Sequence, residues 1–449
     1  LRKLAKEKFD LIITVDCGVR SVHEVDCGNR LGLDIIVTDH HSVGGELPPA
    51  LAVVNPKRDD SRYRFRNLAG VGVAYRLAQG VLRAEKQEWR RKRVGIALEE
   101  EELLDLVALG TVADVVPLQG ENRFLVRQGL ERLNDPQREG IKALLEQAGL
   151  RPGAVTSTAI GFILGPRINA AGRLRSAMLS YRLLTSQDAD EAKALAAQLG
   201  VLNQERQKRT SMALEEATRR ILAAGETDAY LHFVEGEGDI FHPGIVGLVA
   251  NRLVEQFYRP ALVIKRGSQR SHGSARSIEE FHITRALDQC SDLLVRHGGH
   301  AAAAGFTVEN ENLSELKERL RAIATQKLAP LELVPTLQID AEVRLSELDW
   351  SLLSWLQRLE PCGEGNPPHL FVARGVIVRE ARAVGSDGKH LKLWLSDPDG
   401  GVSWSAIAFR QAHWIGHLPD RIDIAFRLEE NEWNDSRRLQ LNVVDMRPT

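Results

Sequence analysis

Short, continuous apolar runs punctuate the first part of the chain. Leu11-Ile12-Ile13-Thr14-Val15 runs into Asp16-Cys17-Gly18, and Asp34-Ile35-Ile36-Val37-Thr38 runs into Asp39-His40-His41. A third run, Leu51-Ala52-Val53-Val54, closes on Asn55-Pro56-Lys57. Runs this short, separated by helix-length segments, predict parallel strands in βαβ units over residues 1–66. From Leu68 to about Asn134 the pattern turns helical, with a charged amphipathic stretch from Arg83 to Glu102 and an apolar run from Leu103 to Asp114. Gly165 to Arg173 reads as a glycine-punctuated loop rich in arginine. Ser186 to Ala224 is rich in Ala, Leu, Glu and Arg and has no Pro, the composition of a long connecting helix.

A second α/β pattern occupies about 226–328. Its strand candidates are Ala229–Val234 and Ala261–Lys265, a helix is predicted from Gly244 to Gln256, and Gly273–Ser277 and Gly298–Gly305 read as glycine-rich loops. Beyond Pro330 to Pro335 the periodicity changes to two. Phe371–Val378, Leu391–Leu395, Val402–Phe409, Ile422–Leu428 and Leu439–Val444 are half-buried antiparallel strand candidates, a set that fits a small barrel of the oligonucleotide-binding (OB) type. The expected fold class is therefore α/β, with a parallel sheet, a long connecting helix, a second α/β domain and a C-terminal β-barrel. The domain boundaries this implies are 1–185, 186–225, 226–330 and 331–449.

Composition narrows the class without naming it. A chain of 449 residues accommodates about two to four domains. The 43% hydrophobic and 27% charged content is that of a globular protein. No apolar stretch is long enough to span a bilayer and no secretory signal pattern opens the chain. The 4 cysteines are scattered without CxxC spacing, which reads as reduced thiols of a cytoplasmic protein. A net charge of −2 argues against a histone-like or tail-driven binder, so any polyanion must be held by a local basic groove. The chain opens on Leu1 rather than Met, with only the basic stretch Leu1 to Lys8 ahead of the first strand. That reads as a protein missing its N-terminus.

The candidate chemistry sits where the strands end. Ligands of such sheets bind outside the carboxyl ends of the strands, so Asp16 and Asp39 are expected on one rim with His40 and His41 beside them. Mixed carboxylate and imidazole donors suit Mn²⁺ or a similar divalent ion better than a structural zinc. A lone Asp there would be an ordinary helix cap; two acids with an adjoining histidine pair read as a metal site. Asp114, in an otherwise apolar helical run, needs a cation or strong donors if it is buried, with capping as the plainer alternative. Such a site fits hydrolysis of a phosphodiester, which needs charge neutralisation and an activated water. Gly273–Ser277 and Gly298–Gly305 are either tight turns or phosphate nests. Arg167 and Arg173 flank Asn169, and the arginine fork suits phosphate. Arg90-Arg91-Lys92-Arg93 reads as a solvated helix face beside Glu85, Glu88 and Glu99 to Glu102. Trp394, Trp404, Trp414 and Trp433 could stack bases, with barrel packing the plainer reading.

Taken in order, several motifs resemble the RecJ single-strand-specific exonucleases of the DHH phosphoesterase superfamily, nearly end to end. They are Thr14-Val15-Asp16-Cys17-Gly18, Thr38-Asp39-His40-His41, Ala108 to Leu118, Gly165–Arg173, Gly273–Ser277, Gly298–Phe306 and Glu360-Pro361-Cys362-Gly363-Glu364-Gly365-Asn366-Pro367. The resemblance implies that Asp16 bridges two Mn²⁺ or Mg²⁺ ions, that His40 and Asp114 ligate one of them, that Asp39 supports the cluster and that His41 contacts the scissile phosphate. It implies that Ser274 and Arg276 hold the 5′-phosphate of single-stranded DNA, with Arg167, Asn169 and Arg173 along its path. Gly298, Gly299 and His300 would form the GGH loop of a DHH-associated domain. A 5′→3′ exonuclease releasing 5′ mononucleotides in DNA recombination and repair follows, with a helicase and a single-strand-binding protein as natural collaborators.

Two departures qualify the resemblance. Ala275 stands where the family's loop usually has a middle glycine. The family's first motif, Asp-x-Asp-Gly on an opening strand, is absent and would precede Leu1, which implies an incomplete metal site and little or no activity for this chain alone. Two other readings stay open. One is a DHH phosphodiesterase for short oligonucleotides or cyclic dinucleotides, against which residues 336–449 argue. The other is a non-catalytic single-strand-binding scaffold, which the absent motif favours and Asp16, His40, His41 and Asp114 oppose.

Overall fold

The structure, a computed structural model, describes residues 1–92, 98–385, 387–433 and 436–449, and of residues 87–92, 432, 433 and 436 the backbone alone. The basic cluster Arg90-Arg91-Lys92-Arg93 and Trp433 thus fall outside the described side chains. The chain divides into two compact units, one made of Leu1–Asn134, Val155–Gly161 and Leu337–Thr449, the other of Asp135–Ala154 and Phe162–Thr336.

Strands β1 (Leu11–Val15), β2 (Asp34–Thr38) and β3 (Ala52–Val54) form a parallel sheet in the order β1-β2-β3. Val15 pairs with Thr38 and Thr38 with Val54, so the strands finish level. The ladder continues one residue further, because the Asp16 N–H donates to the Thr38 carbonyl and the Asp39 N–H to the Val54 carbonyl, each at 3.0 Å. Ile35 and Val37 of the central strand pack against Val25 and Leu33 in a small core. Leu11, Ile13 and Val15 on the edge strand are exposed. The helices Gly70–Lys92, Leu104–Ala113 and Gly120–Asn134 follow. Leu104–Ala113 is buried on several sides, as its largely apolar sequence requires. Gly129 lets a neighbour approach closely, since a Cβ there would lie 2.2 Å from the Leu104 carbonyl oxygen.

The second unit corrects three expectations. Gly165 to Arg173 is not a loop but most of the helix Gly165–Leu174. Pro166 sits in its first turn, where the missing N–H costs nothing, and burial of Ala170 and Ala171 offsets the roughly 1 kcal/mol that an internal glycine costs. The helix Ala189–Ala223 runs 35 residues and starts on Asp188, whose carboxylate accepts from the Asp190 and Glu191 N–H groups. Strands β4 (His232–Gly236), β5 (Ala261–Lys265), β6 (Arg270–Arg276), β7 (Leu294–Gly299) and β8 (Ala303–Glu309) form a sheet ordered β4-β5-β6-β8-β7, parallel at β4–β5 and antiparallel elsewhere. Gly273 to Arg276 therefore lies in strand β6, and Gly298 to Gly305 is a hairpin of β7 and β8 around His300 to Ala302. Gly273 serves packing rather than turning: a Cβ there would lie 2.1 Å from the Phe306 ring. The helix predicted from Gly244 runs Val246–Phe257.

The C-terminal strands are β9 (Ala341–Glu342), β10 (Phe371–Val384), β11 (His390–Ser396), β12 (Ser403–Ala408), β13 (Arg421–Trp433) and β14 (Ser436–Pro448). Long strand β10 pairs with both β11 and β13, while β12 pairs with β14, so β10 to β14 close into a barrel. The alternation read from Leu439, Leu441 and Val443 points inward, onto a core with Leu391, Leu393, Trp404, Ile424 and Phe426. No helix among the described residues is long and apolar enough to cross a membrane.

Candidate metal centre and anion site

Three strand ends and a helix end build the first site. Asp16, immediately after β1, adopts φ +60°, a left-handed conformation that Asp tolerates better than most residues. Its carboxylate lies against the start of the helix Gly70–Lys92, where a Cβ on Gly70 would come within 2.3 Å of Asp16 Oδ1. His40 is 6% exposed. Its Nε2 lies 3.0 Å from Asp16 Oδ1 and 3.4 Å from Asp114 Oδ2. These are ion-pair distances without hydrogen-bond alignment, and neither ring nitrogen of His40 has a hydrogen-bond partner among the described residues. One donor atom each from Asp16, His40 and His41 lie within 4.8 Å of one another.

Asp39 has a different task. Its Oδ2 accepts from the Val19 N–H at 3.0 Å. Its Oδ1 accepts from the His40 N–H at 2.8 Å, the His41 N–H at 3.1 Å and His41 Nδ1 at 2.7 Å. Burial works against its charge, but these donors outweigh it and hold the carboxyl below the usual range. A carboxylate so fully satisfied orients its neighbours rather than binding a ligand. His41 has its Nδ1 turned to Asp39.

Asp114 is not inside its helix but caps the end of Leu104–Ala113, with its side chain 34% exposed. The apolar run left its burial open, and the helix ends one residue before it. Partial burial still raises its pKa, with Asp16 adding to the rise and His40 opposing it. Burial opposes protonation of His40, yet Asp16 and Asp114 together raise its pKa.

Sequence reasoning missed supports on both flanks. Buried Asn55 donates from Nδ2 to the His41 carbonyl at 3.0 Å, and its Oδ1 accepts from the Lys57 N–H at 2.8 Å. The Lys57 charge acts on both His40 and Asp114. Gly70 was legible in the small-residue start Ala69-Gly70-Val71-Gly72 of its helix, and Asn55 in the abrupt polar end of β3.

The second unit carries a candidate anion site. Arg276 Nη1 donates to Ser274 Oγ at 3.2 Å and to the Ala275 carbonyl at 2.8 Å. The first turn of Val246–Phe257 abuts them, for a Cβ on Gly247 would lie 3.0 Å from Ser274 Oγ and 3.1 Å from Arg276 Nη2. Arg173 Nη1 donates to the Gly244 carbonyl at 3.1 Å. Burial lowers the pKa of Arg173, Arg206 and Arg276; the Arg173 charge adds to the effect on Arg206 and Arg276, and the Arg252 charge to that on Arg206. None of these three arginines pairs with a carboxylate among the described residues, and Arg206 Nε is buried without a partner. Partly desolvated guanidiniums beside a helix N-terminus favour an anion. Across the sheet, Ser274 pairs with Gly305 and Gly305 with Gly298, so the glycine hairpin shares this row. At its turn the His300 N–H donates to the Ala303 carbonyl at 2.7 Å, and a Cβ on Gly299 would lie 2.2 Å from that same oxygen. Arg167 is engaged elsewhere, with Gln147 Oε1 and the Ile163 carbonyl, each at 2.8 Å, while Asn169 is exposed. Gly244, Gly247 and Arg206 were not singled out from sequence, although Pro243-Gly244 ahead of a helix was a visible signal.

In the barrel Trp404 is buried and Trp414 packs on the core, so packing explains both, whereas the exposed Trp350 and Trp355 were not singled out.

A carboxylate and imidazole rim on a parallel sheet, in a chain with a second α/β unit and a closed barrel, places the protein in the DHH class. Residues 1–111 match the DHH family, N-terminal domain, residues 228–326 the DHHA1 domain, and residues 339–445 the RecJ OB domain. The chain is 35% identical over 451 residues to the single-stranded-DNA-specific exonuclease RecJ of Salmonella typhimurium, covering 98% of this chain and 77% of that protein. It is 37% identical to RecJ of Bacillus subtilis over 99% of its own length but spans only 55% of that relative. A crystal structure of RecJ in complex with Mn²⁺ from Thermus thermophilus superimposes with a TM-score of 0.82 at 33% identity, over 100% of this chain and 63% of that one. The chain belongs to the RecJ family.

Proposed function

We propose that this chain carries the hydrolytic and strand-binding machinery of a metal-dependent exonuclease. Such an enzyme degrades single-stranded DNA 5′→3′ to 5′ mononucleotides in recombination and repair. The observation that carries the reading is the convergence of Asp16 and Asp114 on the buried Nε2 of His40, which lacks an aligned hydrogen-bond partner among the described residues. A buried imidazole without hydrogen bonds is costly unless a ligand takes a nitrogen. Two hard carboxylates beside it fit Mn²⁺ or Mg²⁺, the ions present in RecJ crystal structures from Thermus thermophilus.

Asp16, His40 and Asp114 would hold that metal, which when bound supplies charge neutralisation at the phosphodiester and a more acidic water. His41, fixed through Nδ1 by Asp39, would contact the scissile phosphate. Ser274, Arg276 and Arg173 with the N-terminus of Val246–Phe257 would hold a terminal 5′-phosphate. Arg167, Asn169 and the turn at Gly298, Gly299 and His300 would line the strand's path, and the barrel would grip more of it. A single-stranded substrate makes a helicase and a single-strand-binding protein fitting collaborators, in the cytoplasm.

The test is digestion of end-labelled DNA by the gene's complete product with Mn²⁺. Mononucleotide release from 5′-phosphorylated single strands, with loss of at least about 100-fold in His40→Ala and Asp114→Ala, is the expected result. Equal cutting of duplex, or turnover of dinucleotides alone, would overturn it.

A further inference from the structure

The turn that carries Asp114 holds an improbable backbone. Val115, the next residue, adopts φ +57°, a left-handed conformation that a β-branched side chain rarely accepts. Such conformations persist only where the surroundings over-determine them. Within its own domain, the turn is held by Asn122, whose Nδ2 donates to the Pro117 carbonyl at 3.0 Å and the Asn67 carbonyl at 2.6 Å.

The rest of the restraint comes from far along the chain, in residues 359–366 ahead of the barrel strands. Their carbonyls form a row of acceptors. The Leu118 N–H donates to the Glu364 carbonyl at 2.7 Å. Gln119 Nε2 donates to the Gly365 carbonyl at 2.6 Å. Arg123 Nη2 donates to the Leu359 carbonyl at 2.8 Å, and Ser157 Oγ to the Cys362 carbonyl at 2.6 Å. Two glycines permit this approach. A Cβ on Gly363 would lie 2.7 Å from Leu118 Cδ1, and Gly365, at φ +68°, would place one 3.1 Å from Pro117 Cβ. The segment is stiffened from within. Gly363 and Asn366 exchange backbone hydrogen bonds at 2.8 and 3.1 Å, and Asn366 Nδ2 donates to the Pro361 carbonyl at 2.9 Å.

We propose that residues 359–366 are a latch that sets the metal centre: by gripping Leu118 and Gln119 they keep Val115 in its left-handed turn, and so keep the Asp114 carboxylate facing His40. Gly363, Gly365, Gln119 and Ser157 are positioning residues; none is a metal ligand. A barrel-side segment thereby controls the affinity of the rim for a divalent ion. This rests on the metal-centre reading of the proposed function.

The test is Mn²⁺ binding by the gene's complete product, followed by calorimetry and by the electron paramagnetic resonance of free Mn²⁺, without substrate. Gly363→Ala is expected to weaken binding about 10-fold, the lower end for groups that act behind a ligand. Gln119→Ala and Ser157→Ala, which only delete hydrogen bonds, should each lose several-fold while the melting midpoint stays near wild type. Val115→Gly removes the backbone strain, so Gly363→Ala on that background should cost under about threefold, since glycine enters the left-handed region freely. Affinities within twofold of wild type in all latch variants would overturn the latch and leave the function untouched. Failure of Val115→Gly to rescue would also overturn it. Absence of Mn²⁺ binding by the wild type would remove the metal reading, and the latch with it.

Discussion

His41 Nδ1 donates to Asp39 Oδ1 at 2.7 Å, and that same oxygen accepts the backbone N–H groups of both His40 and His41. One carboxylate thus sets the ring angle of one histidine and the backbone of both. Asp39→Ala should lower activity about 10- to 100-fold, as expected for partners that orient a site. Because part of the effect runs through His41, Asp39→Ala with His41→Ala should lose less than the product of the two separate losses. Steady-state rates of the four proteins measure the coupling.

Acid should loosen the second unit through His232. This imidazole is 0% exposed, neither nitrogen has a hydrogen-bond partner among the described residues, and the Phe257 ring lies 4.7 Å away. Burial pulls its pKa down to about 4, with Arg259 and Arg321 adding to the shift and Glu226 opposing it. Between about 4 and the ordinary value of 6.5 the folded state binds fewer protons than the unfolded state, so stability rises with pH. The contribution is complete above about pH 6.5 and is lost on acidification towards pH 4, by about 3 kcal/mol in all. His232→Leu should flatten the melting midpoint over that range.

Gly247→Ala should separate anion binding from stability. The added methyl would crowd Ser274 Oγ and Arg276 Nη2, at 3.0 and 3.1 Å, and fill the cradle between them. For the helix itself the same change is not unfavourable, since alanine is the better helix former. The expected outcome is at least about 10-fold weaker binding of a 5′-phosphorylated oligonucleotide with a melting midpoint unchanged or raised. Loss of both together would count against the cradle.

Thiol chemistry should report on the rim selectively. Cys17, next to Asp16, is exposed, whereas Cys290 and Cys362 are buried. Burial pushes the Cys362 thiol up to about 11, with Glu360 adding to the rise. A neutral alkylating reagent at pH 8 should label Cys17 well before Cys290 or Cys362, read by peptide mass spectrometry. Bound Mn²⁺ should slow labelling at Cys17 without affecting Cys27.

Much of the fold could be read in one dimension because its signals are local. Apolar runs ending on Asp16 and Asp39 mark parallel strands, the period of two at Leu439, Leu441 and Val443 marks a barrel strand, and a Pro-free stretch from Ser186 marks the long helix. The rim was legible because strand ends of a parallel sheet must share an edge, which brings Asp16, Asp39, His40 and His41 together. Glycine was where this reading failed. Gly165, Gly273 and Gly298 suggest loops in one dimension, but they lie in a helix and in strands, where the absent side chain admits a neighbour such as the Phe306 ring.

Sequence alone therefore determined which residues could bind a metal or a phosphate, since side-chain chemistry and strand polarity are properties of short segments. Tertiary structure decided what each one does. Only folding shows Asp39 saturated by its own backbone neighbours, Asp114 half out of its helix facing His40, and Arg167 hydrogen-bonded to Gln147 while Arg206 stands by Arg173. It also brought the Glu360 to Asn366 segment onto the Asp114 turn. The reason is physical: desolvation and hydrogen-bond geometry fall off within a few ångströms, and residues hundreds of positions apart meet at that range only once the chain has packed.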